Sequence, residues 1–297
     1  MPKIDLYGSQ MHYVDEGSGD PLLFLHGNPS SSFSWRKVIP RLSGMARCIA
    51  PDHMGFGRSD KPKISYSFFN LSDYLEAFIE RLNLRNITLV IQDWGSPLGF
   101  DYFARHLSNV SGIVYFEAIV KPFASWDDFP AKDANPQSRQ LFREFRTGDE
   151  NGPGWKLIVE QNMFIKALLP NLLGVPLSPQ EMAEYEKPFE RPEWRVPMWR
   201  LPKDIPIENN PPDVAVTVQR YTDALRASDT PKLLIYSRTG ITLRQDAVEW
   251  SRSNLRNLTV RELSGGNHFF QESHPIEFAE AIRDWYQRVH QGVHRAP

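Results

Sequence analysis

Short apolar runs alternate with amphipathic stretches along the first half of the chain. Leu22-Leu23-Phe24-Leu25 is too short for a helix and runs into Gly27 and Pro29, which predicts a buried strand. Arg47-Cys48-Ile49-Ala50, ending at Pro51-Asp52, reads the same way, as do Ile87 to Ile91 and Gly112 to Phe116. Leu71, Leu75, Phe78, Ile79 and Leu82 recur at helical spacing, and Leu98 to His106 has helical texture. Near the N-terminus, Ile4–Tyr7 and Met11–Val14 flank Gly8-Ser9-Gln10 and predict an antiparallel hairpin. Strands alternating with helices imply a mostly parallel central sheet with helices on both faces.

After Lys121 the texture changes. From Pro122 to Pro212 the chain is rich in Pro, Trp and Phe and has no strand-like run. Short helices are expected over Ser138–Phe145, Trp155–Leu168 and Pro179–Glu186. Strand texture returns at Lys232–Tyr236 and Leu258–Leu263, and a last helix is expected from Pro275 to about His290, followed by a frayed tail to Pro297. The expectation is an α/β core of residues 1–121 and 213–297 with an inserted helical cap of residues 122–212.

Composition narrows the function. With 297 residues and a formal net charge of -2, there is no basic excess to suggest nucleic acid or an anionic membrane as partner. No apolar run reaches transmembrane length, and Met1 to Asp5 lacks the basic start and apolar core of a signal peptide. The single cysteine, Cys48, allows no intrachain disulfide and lies in an apolar run, as a buried structural thiol would. A cytoplasmic location is the expectation.

Four pieces carry candidate chemistry. Val90-Ile91-Gln92-Asp93-Trp94-Gly95-Ser96 follows a strand and opens a helix, the setting of a nucleophile elbow with Asp93 as nucleophile. Ile91 stands where the usual elbow has Gly, and the competing reading makes Asp93 a helix N-cap. His26-Gly27-Asn28-Pro29 follows another strand and could supply an oxyanion-hole amide from Asn28, paired with the amide of Trp94. Taken alone, it reads first as a plain Gly-Asn-Pro turn. Ser264-Gly265-Gly266-Asn267-His268-Phe269 puts His268 on a Gly-rich loop after the last strand. Glu117 ends the strand after the Asp93 helix and could orient the imidazole, with Asp246 as runner-up. All lie at strand ends, and nucleophile, acid and histidine follow one another in the order of the α/β-hydrolase fold.

With these pieces assembled, the chain resembles the haloalkane dehalogenases over nearly its whole length. The resemblance rests on Phe24 to Ser32, Ile49 to Asp52, Gly55 to Pro62, Gln92 to Ser96, Gln161-Asn162, Trp199 to Pro202 and Ile205-Pro206. It implies an α/β-hydrolase fold and conversion of small haloalkanes to alcohol and halide through a covalent alkyl ester of Asp93. His268 is then the base and Glu117 the acid, as in the subgroup that takes its acid from the strand after the nucleophile helix. Asn28 and Trp94 match that subgroup's halide-binding pair, while Gln92 stands where many members have His. The family's cap pocket suggests Phe142, Phe145, Phe164, Leu168, Leu172, Thr217 and Leu243 as lining residues, each of which could also be plain core. Substrate, halide and water are the implied partners, with no metal or organic cofactor.

Three other functions fit parts of the pattern. An epoxide hydrolase would share Asp93, His268 and Trp94 but needs tyrosine hydroxyls to protonate the epoxide oxygen, for which Tyr185 and Tyr221 are candidates. A cofactor-free luciferase-type oxygenase resembles dehalogenases at the same five positions. A non-catalytic binding relative would keep the pocket and lose a catalytic residue, and none of the five is missing here.

Overall fold

The computed structural model describes residues 2–129 and 136–293. Its centre is a sheet of β1 (Lys3–Leu6), β2 (Ser9–Glu16), β3 (Pro21–Leu25), β4 (Arg47–Pro51), β5 (Ile87–Asp93), β6 (Val110–Ala118), β7 (Lys232–Tyr236) and β8 (Leu258–Glu262), in the spatial order β1-β2-β4-β3-β5-β6-β7-β8. The first two strands pair antiparallel as the hairpin pattern predicts, and β2 also runs antiparallel to β4. The remaining pairings are parallel.

The continuous apolar runs are explained by burial on both faces. Successive side chains of a strand point to opposite sides, so each central strand feeds two cores. Leu23 and Leu25 of β3 join one core with Leu89, Ile91, Ile113, Tyr115 and Leu234. Leu22 and Phe24 join the other with Val90, Val114, Phe116, Leu233 and Ile235. The helices Phe68–Arg81 and Gly95–Arg105 pack on the first face; the helix Pro275–Val293 closes the second with Phe278, Ile282 and Trp285. That last helix runs past His290, and residues 294–297 of the expected frayed tail lie outside the described residues. Cys48 is wholly buried in the second core, and burial pushes its thiol up to about 12.

The described part of residues 124–206 holds helices and turns only, including Pro136–Arg146, Pro179–Glu186 and Val196–Lys203. A bridge between Phe123 and Ile207 closes its base. The expected helix Trp155–Leu168 is not continuous. Two wide π turns, Lys156–Glu160 and Phe164–Leu168, flank a break at Gln161-Asn162. Asn162 has φ +58, a left-handed conformation that asparagine tolerates and that no right-handed helix can contain. A long helix the sequence did not single out, Pro212–Ala227, packs against Gly95–Arg105 and returns the chain to the sheet.

Candidate active site

The site forms at the carboxyl ends of the parallel strands, where the loops after β3, β5, β6 and β8 meet. At the end of β5, Asp93 has φ +48. A non-glycine residue held there costs conformational energy, and such strain is characteristic of functional turns. It is sustained by close packing around the turn. A Cβ on Gly95 would lie 2.2 Å from the Leu25 carbonyl oxygen, and one on Gly27 would lie 2.4 Å from Asp93 Oδ1. Glycine at both positions lets the β3 loop and the β5 turn touch. Ser96 Oγ then donates to the Asp93 carbonyl at 2.6 Å. The N-cap of the following helix is Trp94, with no side-chain cap bond, so the capping role considered for Asp93 is not the one it takes.

The Asp93 carboxylate is instead held from the β3 loop. The Asn28 amide donates to Oδ1 at 2.7 Å, and the adjacent Trp94 amide also favours the charged carboxylate. These are the two amides expected of an oxyanion hole. Oδ2 faces His268 Nε2 at 3.8 Å. The carboxylate keeps an opening, with 19% of its side-chain surface accessible. The dense protein around it still desolvates the charge and pushes its pKa up, against the imidazole charge and the two amides, which act to lower it.

Glu117 stands at 1% exposure beneath His268, with His268 Nδ1 2.9 Å from its Oε2. The pairing of β5 with β6 shows how it gets there. Gln92 pairs with Phe116 and Asp93 with Ala118, so Glu117 is the extra residue of a bulge, at φ +44. A bulge re-aims one side chain at a strand end. The loop after β7 completes the seat: the amides of Ile241 and Thr242 donate to Oε2 at 2.9 and 2.7 Å. A Cβ on Gly240 would lie 2.5 Å from Oε1. The loop that lacks a carboxylate of its own thus supplies donors to one from another strand. Asp246 is exposed in the first turn of the helix Gln245–Asn254.

Burial alone would lower the His268 pKa. The hydrogen bond and charge of Glu117, with the charge of Asp93, outweigh it and raise the value above the ordinary 6.5. With Nδ1–H turned to Glu117, Nε2 is left as the basic nitrogen in the neutral imidazole.

Comparisons with known proteins identify the family. A family model described as the alpha/beta hydrolase fold matches residues 20–275. The chain is 40% identical to a haloalkane dehalogenase of Mesorhizobium japonicum, over 97% of this chain and 91% of that one. It is also 40% identical to one from Sphingobium indicum, over 96% and 95%. Among solved structures, an ancestral haloalkane dehalogenase superposes with a TM-score of 0.93 at 39% identity, covering 98% of this chain and 100% of that one. The haloalkane dehalogenase DbeA of Bradyrhizobium elkani gives 0.93 at 37%, with 98% of each covered. The chain belongs to the haloalkane dehalogenase family.

Other positions of this dehalogenase-family chain sort less evenly. Asn28 Nδ2 donates one N–H to the Met198 carbonyl at 3.2 Å, which leaves its second N–H, and Asn28 Oδ1 is buried without a partner. Trp94 is buried. Of the pocket candidates, Phe142, Phe145 and Phe164 form one aromatic run, with ring centroids 6.3 and 5.7 Å apart. Leu168 and Leu172 pack at the margin of the first core, and Thr217 and Leu243 are buried in it or beside it. Neither tyrosine considered for an epoxide is free: the Tyr185 hydroxyl donates to Glu272 at 2.5 Å and that of Tyr221 to the Ile119 carbonyl at 2.6 Å. A cleft of about 620 Å³, whose walls include Arg58, Lys61, Lys187 and Trp194, has none of Asn28, Asp93, Trp94, Glu117 or His268 in its lining. Its size therefore says nothing about the reaction.

The sequence left Gln92 without a role. In the structure it is fully buried, donates through Nε2 to the His268 carbonyl at 2.8 Å, and accepts from Gln271 Nε2 at 3.0 Å. It ties the strand of the nucleophile to the loop of the histidine. The signals available in the chain were a polar residue inside an apolar strand, next to the candidate nucleophile, and its place where many haloalkane dehalogenases have His.

Proposed function

We propose that this chain hydrolyses carbon–halogen bonds of small haloalkanes through an alkyl ester of Asp93, with residues 122–212 as a cap over the site. The observation that carries the reading is the asymmetry of one carboxylate. Asp93 Oδ1 is tied to the Asn28 amide, while Oδ2 is free to attack and faces an imidazole.

Displacement at a saturated carbon needs an anionic nucleophile, and a carboxylate is one without help from a base. Oδ2 attacks the carbon, and the carbon–halogen bond breaks with its electron pair leaving on the halide. The Trp94 indole N–H and the spare N–H of Asn28 Nδ2 are the donors for that developing charge. His268 Nε2 then takes a proton from water, and the resulting hydroxide attacks Asp93 Cγ. The 3.8 Å between Nε2 and Oδ2 is too long for a direct hydrogen bond, which suits a base that works through water. The tetrahedral oxyanion forms on Oδ1, already held by the Asn28 amide, with the Trp94 amide as the second donor of the oxyanion hole. Collapse releases the alcohol, which takes the proton from the imidazolium, and restores the Asp93 carboxylate. Glu117 fixes the tautomer and stabilises the imidazolium. The aromatic run Phe142–Phe145–Phe164, with Leu168, Leu172, Thr217 and Leu243, would supply an apolar wall for the alkyl chain.

Epoxide hydrolysis is disfavoured because both tyrosine hydroxyls considered for it are spent on internal acceptors. The test is halide and alcohol release from a panel of chloro-, bromo- and iodoalkanes, with an epoxide as control. Turnover of haloalkanes and not of the epoxide is the expected result. Epoxide turnover alone, or binding without halide release, would refute it.

A further inference from the structure

Glu272 lies in the short helical turn Phe270–Ser273, four residues past His268. Its carboxylate is wholly buried, yet it gathers donors from two distant parts of the chain. Arg36 reaches both of its oxygens, and Lys37 Nζ lies 2.9 Å from Oε2. Both cations follow the loop that carries Asn28. The remaining donor comes from the inserted segment: the Tyr185 hydroxyl, at 2.5 Å, on the helix Pro179–Glu186. Glu181 of the same helix accepts from Arg36 Nη2 at 2.5 Å, so two carboxylates and two cations balance in one cluster.

Tyr185 reaches the histidine by a second route. Its ring meets Phe269 edge-on, with centroids 6.4 Å apart and planes at 79°. Phe269 meets the His268 imidazole in the same way, at 5.2 Å and 78°. The Glu272 amide closes the turn onto the Phe269 carbonyl at 3.0 Å, so the two routes are fixed to one another. Edge-to-face pairs are directional, and a ring held on one side limits how the next can rotate.

We infer that Tyr185 is a positioning residue for the base: its hydroxyl on Glu272 and its ring on Phe269 hold the His268 loop in place from the inserted segment. The inference rests on His268 acting as the base of ester hydrolysis. A buried carboxylate could be neutralised by Arg36 and Lys37 alone. The tyrosine adds a bond whose partner is on a different element, and together with the Asn267 Nδ2 bond to the Asn171 carbonyl at 2.8 Å it couples the segment to the loop.

Tyr185→Phe tests this with little disturbance, because ring and volume stay and Glu272 keeps both cations. Alkylation uses Asp93 and not His268, so single-turnover halide appearance should keep its wild-type rate. Alcohol appearance, which needs the base, should slow about fivefold, as for one lost hydrogen bond. Phe269→Leu, which removes the ring between them, should show the same split, and the double variant less than the product of the two effects. Glu272→Gln keeps an acceptor for the hydroxyl but removes the charge; it serves as the further variant if Phe269→Leu does not fold. Equal slowing of both steps, or of neither, overturns the inference. If wild type forms no alkyl ester at all, the underlying reading fails instead, and that outcome is visible before any variant is made.

Discussion

His268 Nε2 stands 3.8 Å from Asp93 Oδ2, while Nδ1 of the same ring is 2.9 Å from Glu117. The imidazole is bound on one side and open on the other. This arrangement separates the two halves of the proposed reaction, since attack on carbon needs only the carboxylate and ester hydrolysis needs the ring. His268→Phe should therefore stop the reaction halfway. Exposed to a bromoalkane, it should release about one halide per enzyme and gain one alkyl group, which peptide mapping should place on Asp93. Asp93→Ala should abolish both signals. A folded His268→Phe protein with no added mass would show that Asp93 is not the nucleophile.

Glu117 is enclosed with three hydrogen-bonding partners at 2.7 to 2.9 Å, whereas Asp246 is exposed. Glu117→Gln should lower steady-state turnover by orders of magnitude, as in other His–carboxylate pairs where the tautomer is lost. Asp246→Asn should leave turnover within about twofold, as is usual for exposed positions. The opposite ranking would move the acid to the strand that precedes Asp246.

Asn28 has one amide N–H on Asp93 and one side-chain N–H to spare. Asn28→Ala keeps the first and deletes the second, so it isolates the halide donor. Both Asn28→Ala and Trp94→Phe should slow halide release by roughly 3 kcal/mol of transition-state stabilisation, the scale of a lost oxyanion-hole donor. Rapid-quench measurement of the alkylation step distinguishes this from slower ester hydrolysis; an unchanged alkylation rate in both variants would remove the halide pair from the mechanism.

The His268 pKa is raised in part by the charge of Asp93. A nearby anion favours the imidazolium, so removing it must lower the pKa. In the proposed reaction, esterification of Asp93 would remove that charge and shift His268 toward the neutral base that hydrolysis requires. Asp93→Asn mimics the neutral state. NMR titration should give its His268 a lower pKa than in wild type, and the wild-type value should lie above 6.5. Equal values in the two proteins would mean that the two groups do not communicate.

How much of this could be read from the chain depends on where each signal resides. The strands, the turn at Asp93, the loop at Asn28 and the loop at His268 are written in neighbouring residues. Apolar runs end in Gly, Pro or Asp because parallel strands are buried on both faces and must then leave the sheet. The order of these pieces along the chain was enough to bring Asp93, Glu117 and His268 into one hypothesis. The contacts that favour Glu117 over Asp246 form only on folding. They depend on a bulge in β6 and on amides 124 and 125 residues further along the chain, neither of which leaves a local pattern. Likewise, Trp155–Leu168 has helical texture throughout, and only the fold shows that Asn162 breaks it. Gln92 on the His268 carbonyl and Tyr185 on Glu272 join residues 176 and 87 positions apart. Local sequence encodes periodicity and turns, because these depend on adjacent backbone and side-chain sterics. Long-range hydrogen bonds depend on which chain segments pack together, and that is decided by the tertiary structure.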